Sequence, residues 1–187
     1  MRAISRLVLA ATLALGAIAA DAATVGGVNL EDRVTVNNQQ LVLNGAGLRK
    51  KLFIKVYVGA LYLPAKNANP ASILAADQPR RMVMHFVFSV GKDKIAEAWT
   101  EGLADNTPNA SPEVKTAFKT LETWMEDIKS GQRIVLTYVP GIGTTVEVNG
   151  KNKGTLGGKA VSDAILNTWI GPKPGPGDDF KKAVLGQ

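Results

Sequence analysis

One arginine in this sequence stands where it could do chemistry. Arg49 follows Gly45-Ala-Gly47-Leu48 and opens a long apolar-basic run to Pro64. A guanidinium is planar and permanently charged, so it can hold a carboxylate through two parallel hydrogen bonds or stabilise an enolate or phenolate oxygen. The alternative is an arginine that pairs a surface acid. Other candidates are weaker. His85 is the one histidine and lies among apolar residues with no nucleophile motif nearby, so a structural role fits it better than a Ser–His–Asp relay. With a single histidine and no cysteine, a metal site is not expected. Glu97 and Glu101 are one helical turn apart and could pair as acid and base, although that spacing is more often a solvated helix face. Gly141-Ile-Gly143 and Gly154-Thr-Leu-Gly-Gly-Lys159 lack the Walker pattern and read as turns. Trp99, Trp124 and Trp169 read as core residues. Trp169 is also placed at a cleft, because it follows Thr168 just before a chain-breaking Gly171-Pro172.

Elements must carry these side chains. Asn44–Pro64 reads as a glycine turn followed by one long strand. On it, even positions Leu52 to Tyr62 form an apolar face, and odd positions Lys51 to Leu63 change from basic to apolar. The turn is assigned to Gly45 and Gly47. Short strands are expected around Val25–Leu30, Arg33–Val36 and Gln40–Leu43, with Asn37-Asn38 as a hairpin tip. Lys66–Pro79 reads as a loop with one helical turn near Ser72–Ala76, and Arg80–Ser89 as a strand. Met82, Met84, Phe86 and Phe88 share one face of that strand. A helix over Asp93–Leu103 groups Ile95, Ala98, Trp99 and Leu103. A second begins at Ser111-Pro-Glu and carries Val114, Phe118, Leu121, Met125 and Ile128 until Gly131. Gln132–Val139 and Thr144–Val148 form a hairpin, Asn149-Gly150 turns the chain again, and a strand near Lys153–Leu156 follows. The last long helix, Gly158–Ile170, stops at the Gly/Pro run, and Asp178 onward forms one more helical turn. The sum is α+β: an antiparallel sheet with helices on one face and an apolar cleft between them.

Composition sets the bounds. The 187 residues suffice for one domain with a real core, and 45% hydrophobic with 20% charged residues is ordinary for a globular protein. Residues 1–22 read as a secretory signal peptide: Arg2 and Arg6, an apolar run from Leu7 to Ala20, then Ala20-Asp21-Ala22. Its removal leaves residues 23–187 as the domain and lowers the net charge from +6 to +5. Export, to a periplasm, is therefore expected. The mild basicity without a dense Lys/Arg block argues against nucleic acid and suits anionic small molecules or peripheral contact with lipid headgroups. The absence of cysteine leaves stability to the core rather than to disulfides.

The motifs G-A-G-L-R and K-V-Y-V-G-A-L-Y-L, the segment Val90–Leu103, and A-V-S-D-A-I-L-N-T-W-I-G at 160–171 resemble, in this order, the chalcone isomerase fold family, in particular its secreted bacterial members. The resemblance runs over nearly all of residues 23–187. It implies an open-faced β-sandwich, a long antiparallel sheet backed by helices, with a ligand cleft between and no cofactor. In catalytic plant members an arginine of the glycine turn stabilises the attacking oxyanion. There, a threonine and a tyrosine polarise the ketone, and an asparagine and a second threonine contact the substrate. Arg49 matches the arginine and Thr168 the second threonine. Tyr57 stands at the strand threonine, Lys94 at the tyrosine and Glu101 at the asparagine. The fatty-acid-binding branch, which holds a carboxylate with an arginine and a tyrosine, is the better match. Arg49 and Tyr57 would form that clamp, with Lys94 as a further cation and Trp169 beside Thr168. On a single straight strand, however, Arg49 and Tyr57 would lie roughly 26 Å apart. A binding protein for an apolar anion is the first expectation. An intramolecular lyase or isomerase using Arg49, Tyr57 and Thr168 is the second, and an envelope module with a filled cleft is the third.

Overall fold

The computed structural model describes residues 23–187; the expected signal peptide lies outside the described residues. A small hairpin, β1 (Ala23–Val25) and β2 (Val28–Leu30), precedes a seven-stranded antiparallel meander in which every strand pairs with its neighbour in sequence. Its strands are β3 (Arg33–Val36), β4 (Gln39–Lys51), β5 (Ile54–Leu63), β6 (Arg80–Phe86), β7 (Arg133–Val139), β8 (Gly143–Val148) and β9 (Lys151–Leu156). Five helices accompany it: α1 (Pro70–Ala75), α2 (Lys92–Asn106), α3 (Pro112–Thr123), α4 (Lys159–Ile170) and α5 (Asp178–Val184). This is the expected α+β sandwich.

Two apolar layers hold the sheet. On one face, Tyr57, Leu61, Met82, Met84, Phe86 and Leu136 meet Trp99, Phe118, Ile165 and Trp169 from the helices. On the other, Val58, Ala60 and Tyr62 meet Val28 and Leu30 of the β1–β2 hairpin, together with Val36 and Leu41. Side chains of β5 alternate between these layers, as a strand's period of two requires. Burying both faces explains why β5 is so uniformly apolar after Val56.

The largest departure from expectation concerns Asn44–Pro64. It is not a turn and one strand but the end of β4, a turn at Leu52–Phe53, and β5. Gly45 and Gly47 lie inside β4. A Cβ on Gly45 would strike the Ala183 carbonyl, and one on Gly47 would come within 3.0 Å of the Phe180 ring. These glycines therefore admit α5 onto the sheet rather than turning the chain. Asn44 secures the same contact, donating from Nδ2 to the Val184 carbonyl and accepting the Asn67 N–H at Oδ1. Leu52 and Ile54, expected on a buried face, are exposed at the hairpin end.

Smaller corrections follow the same logic. Val25–Leu30 is a hairpin, because Gly26 and Gly27 take positive φ and turn it. The second long helix ends at Thr123, short of Gly131. Met125 and Ile128 are buried all the same, Ile128 by bridging to Val90. Strand β6 ends at Phe86, so Phe88 is half exposed instead of sharing the Met82 face. Asn37-Asn38 and Asn149-Gly150 take positive φ and close their hairpins as expected.

Candidate ligand cleft

Strands β4 and β5 bring Arg49 and Tyr57 opposite each other: they are register partners across the hairpin. Directly opposed residues of antiparallel strands lie about 5 Å apart at Cα. The expected separation along one strand is thus replaced by contact, with the Arg49 Cζ 5.8 Å from the centre of the Tyr57 ring. The correction comes from the missed turn at Leu52–Phe53, which folds the arginine back over the tyrosine.

Tyr57 is fixed from several sides. Its ring is buried against Phe86 at 5.4 Å and Phe180 at 5.7 Å between centroids. The Trp169 Nε1–H donates to its hydroxyl at 2.9 Å. No described residue accepts the tyrosine's own proton, which leaves that O–H free to donate into the cleft. Burial pushes the Tyr57 pKa up, while the positive charge of Arg49 pulls it back less strongly. The phenol therefore stays protonated at neutral pH. Trp169 is held in turn by Trp99, edge-on at 5.3 Å.

These residues form one wall of a cleft of about 370 Å³ between the sheet and helix α2. Its floor is Tyr57, Met84, Phe86, Trp99 and Trp169, and its rim carries Arg49, Lys51, Ile54, Phe88, Lys94, Glu97 and Glu101. The volume lies within the range of small-molecule sites. Arg49, Tyr57, Lys94, Glu101, Thr168 and Trp169 all line it. They differ in availability. Lys94 is an exposed group paired with Glu97 at 2.6 Å, which raises the lysine pKa and lowers that of the glutamate. The Thr168 hydroxyl donates to the Ile165 carbonyl of its own helix. Arg49 forms no ion pair with any described residue. The reading of Arg49 as a surface ion-pair partner thus lacks a described acid.

Helix α2 sits close because Gly102 faces Thr168, where a Cβ would meet Cγ2 at 2.9 Å. Its C-terminus is tied down by Asn106, whose Nδ2 donates to the Gly102 and Lys173 carbonyls and whose Oδ1 accepts the Lys173 N–H. His85 is outside the lining. Burial and nearby Arg133 lower its pKa, so it is neutral at pH 7. Glu97 and Glu101 share the rim, Glu97 engaged with Lys94. The described residues hold no cluster of metal-ligating side chains.

Sequence reasoning missed Lys51, Ile54 and Phe88 as rim residues. The signal was available in Lys50-Lys51-Leu52-Phe53, a basic pair followed by two bulky apolar residues, but no glycine, asparagine or proline marks it as a turn.

Fold and site together define a class: a curled antiparallel sheet backed by helices, with an apolar cleft opening beside an arginine–tyrosine pair. The chain belongs to the chalcone isomerase-like family, whose model matches residues 22–186. The fold is shared with a crystal structure of a fatty-acid binding protein from Arabidopsis thaliana, at a TM-score of 0.64 and 17% identity over 86% of this chain and 93% of that one. No curated protein matches the sequence.

Proposed function

We propose that this chain is an exported, non-catalytic binding protein for an apolar anion, a fatty acid or polyketide-like acid. The carboxylate would sit on the Arg49 guanidinium and the Tyr57 hydroxyl, with the hydrocarbon along Met84, Phe86 and Trp99. The observation that carries this is the pairing of Arg49 with Tyr57 at an open apolar cleft, with no described carboxylate on the arginine. The fatty-acid binding neighbour supports the same reading. Burial of the chain contributes about 0.8 kcal/mol per methylene. The charged hydrogen bonds to the head add about 1.5–3 kcal/mol and select an acid over a neutral lipid.

The lyase reading would use Arg49, Tyr57 and Thr168 in the same cleft. The engaged Thr168 hydroxyl and the Lys94–Glu97 pair on the facing helix make it the weaker one. The cleft's open volume also counts against a module filled by its own side chains.

The test is native mass spectrometry and solvent extraction of the protein from its own compartment without detergent, with N-terminal sequencing to find where the mature chain begins. A stoichiometric acidic lipid or aromatic, lost in Arg49→Ala, is expected. An empty protein that turns over chalcones in an Arg49-dependent manner would overturn the carrier reading.

A further inference from the structure

The β4–β5 hairpin outruns the sheet. Strand β6 begins to pair with β5 only at Tyr57, and β3 pairs with β4 no further than Val42, so residues 50–55 project with both edges unpaired by strands. Apolar side chains crown the projection: Phe53 is 99% exposed, Leu52 87% and Ile54 46%, with Phe88 beside them on the cleft rim at 48%. The hairpin itself is cationic, and the acids nearest it, Glu97 and Glu101, stand across the cleft on α2. Arg49, Lys50, Lys51 and Lys55 occupy the hairpin, and residues 33–76 contain no Asp or Glu.

Two features of this tip run against stability of the isolated chain. Leu52 holds a left-handed φ of 56°, a conformation in which glycine or asparagine is relaxed and leucine is strained. Lys50 and Lys55 are directly opposed across the strands, an arrangement in which like charges repel. Both would be relieved by substitutions that keep the turn. Both make sense if the leucine enters an apolar phase and the lysines meet anions.

We propose that this hairpin tip is a docking element for an anionic phospholipid surface. Leu52 and Phe53 insert at the level of the acyl boundary while Lys50, Lys51 and Lys55 engage the headgroup phosphates. Because Ile54, Lys51 and Phe88 are also the cleft rim, docking turns the mouth of the cleft toward the bilayer. Passage of a ligand between bilayer and cleft rests on the carrier reading above; the docking itself does not.

Flotation with vesicles of phosphatidylcholine containing about one third phosphatidylglycerol tests it, using the protein in the form the cell leaves it. Binding is expected, weaker on phosphatidylcholine alone by about tenfold. Leu52→Asn with Phe53→Ser should lower partitioning by at least about tenfold, while Leu52→Asn alone holds or raises the melting temperature by relaxing φ. Lys50→Gln with Lys55→Gln should erase most of the preference for phosphatidylglycerol. Ile142→Ser, at the exposed turn of β7–β8 on the opposite end of the sheet, should change nothing. Absence of wild-type binding, or equal binding by the tip variant, overturns the proposal. So does a tip variant that changes only the solution mass, because the tip would then cover a second copy. Titration of a soluble fatty acid in the absence of vesicles reads the cleft separately, so failure of one claim leaves the other measurable.

Discussion

Two arginines in this molecule lie over tyrosine rings, and they have opposite fates. Arg80 is 4% exposed, stacks over Tyr138 at 5.0 Å and has a carboxylate of its own. It bonds Ser162 Oγ through Nη2 at 2.7 Å and Asp163 Oδ1 at 2.5 Å, and reaches the Ile73 carbonyl. Tyr138 in turn donates to Asp77 at 2.6 Å. Arg49 over Tyr57 has the same stacking and a buried phenol, but no described acid. The first pair closes its own electrostatics and clamps α1 and α4 to the sheet. The second leaves one guanidinium and one phenolic proton facing an apolar cleft. An arginine–tyrosine pair is architecture when the chain supplies its carboxylate; under the proposed function, the open pair is a binding site because a ligand must supply it.

The contrast is open to attack from both sides. The largest effect belongs to the closed pair. Asp163→Ala strands the buried Arg80 charge and should cost about 3 kcal/mol in chemical denaturation, with ligand affinity unchanged. A loss of affinity instead would mean that the two ends of the sheet are coupled. Gly102→Ala comes next. Its methyl would press on Thr168, so α2 must lift from α4, at about 1–3 kcal/mol, with a wider cleft visible as faster ligand release. Tyr57→Phe removes only the free hydroxyl donor at the open pair and the acceptor of the Trp169 N–H. It should weaken carboxylate binding by about 1 kcal/mol in calorimetric titration, leaving the affinity for a neutral analogue nearly intact.

A pH scan reads the phenol of the closed pair directly. Burial and Asp77 push Tyr138 up to about 12, and burial with Glu31 does the same to Tyr62. Tyrosines in the unfolded chain ionise near 10, so the native state holds more protons above that pH. Stability from these groups is therefore complete below pH 10 and is lost as pH rises towards 12. Denaturation midpoints should be flat in tyrosine-linked terms up to pH 10 and fall beyond it, and Tyr138→Phe should flatten the fall.

Much of this could be read from residue order, and the exceptions have physical reasons. Helix stripes such as Val114–Phe118–Leu121 and turns such as Asn149-Gly150 carry their own local signal, and the resemblance of Asn44–Leu63, Val90–Leu103 and 160–171 anticipated the sandwich. Arg49, Tyr57, Lys94, Glu101, Thr168 and Trp169 do meet around one cleft. Their spacing could not be read, because the turn between Arg49 and Tyr57 is built from Leu52 and Phe53, which look like strand. Gly45 and Gly47 looked like the turn and are instead clearances for Phe180 and the end of α5, a requirement set by residues well over a hundred positions away. Local chemistry marks a turn only when the turn is relaxed; a strained one is invisible.

The central claim is that Arg49, left without an acid of its own, holds the acid of a ligand. Titrating dodecanoate and dodecanol into the wild-type protein and Arg49→Ala tests it most directly. The account predicts that the wild type prefers the acid by about 2 kcal/mol or more, and that Arg49→Ala binds acid and alcohol alike with its fold stability unchanged. Equal binding of acid and alcohol by the wild type, or an acid preference that survives in Arg49→Ala, would contradict it.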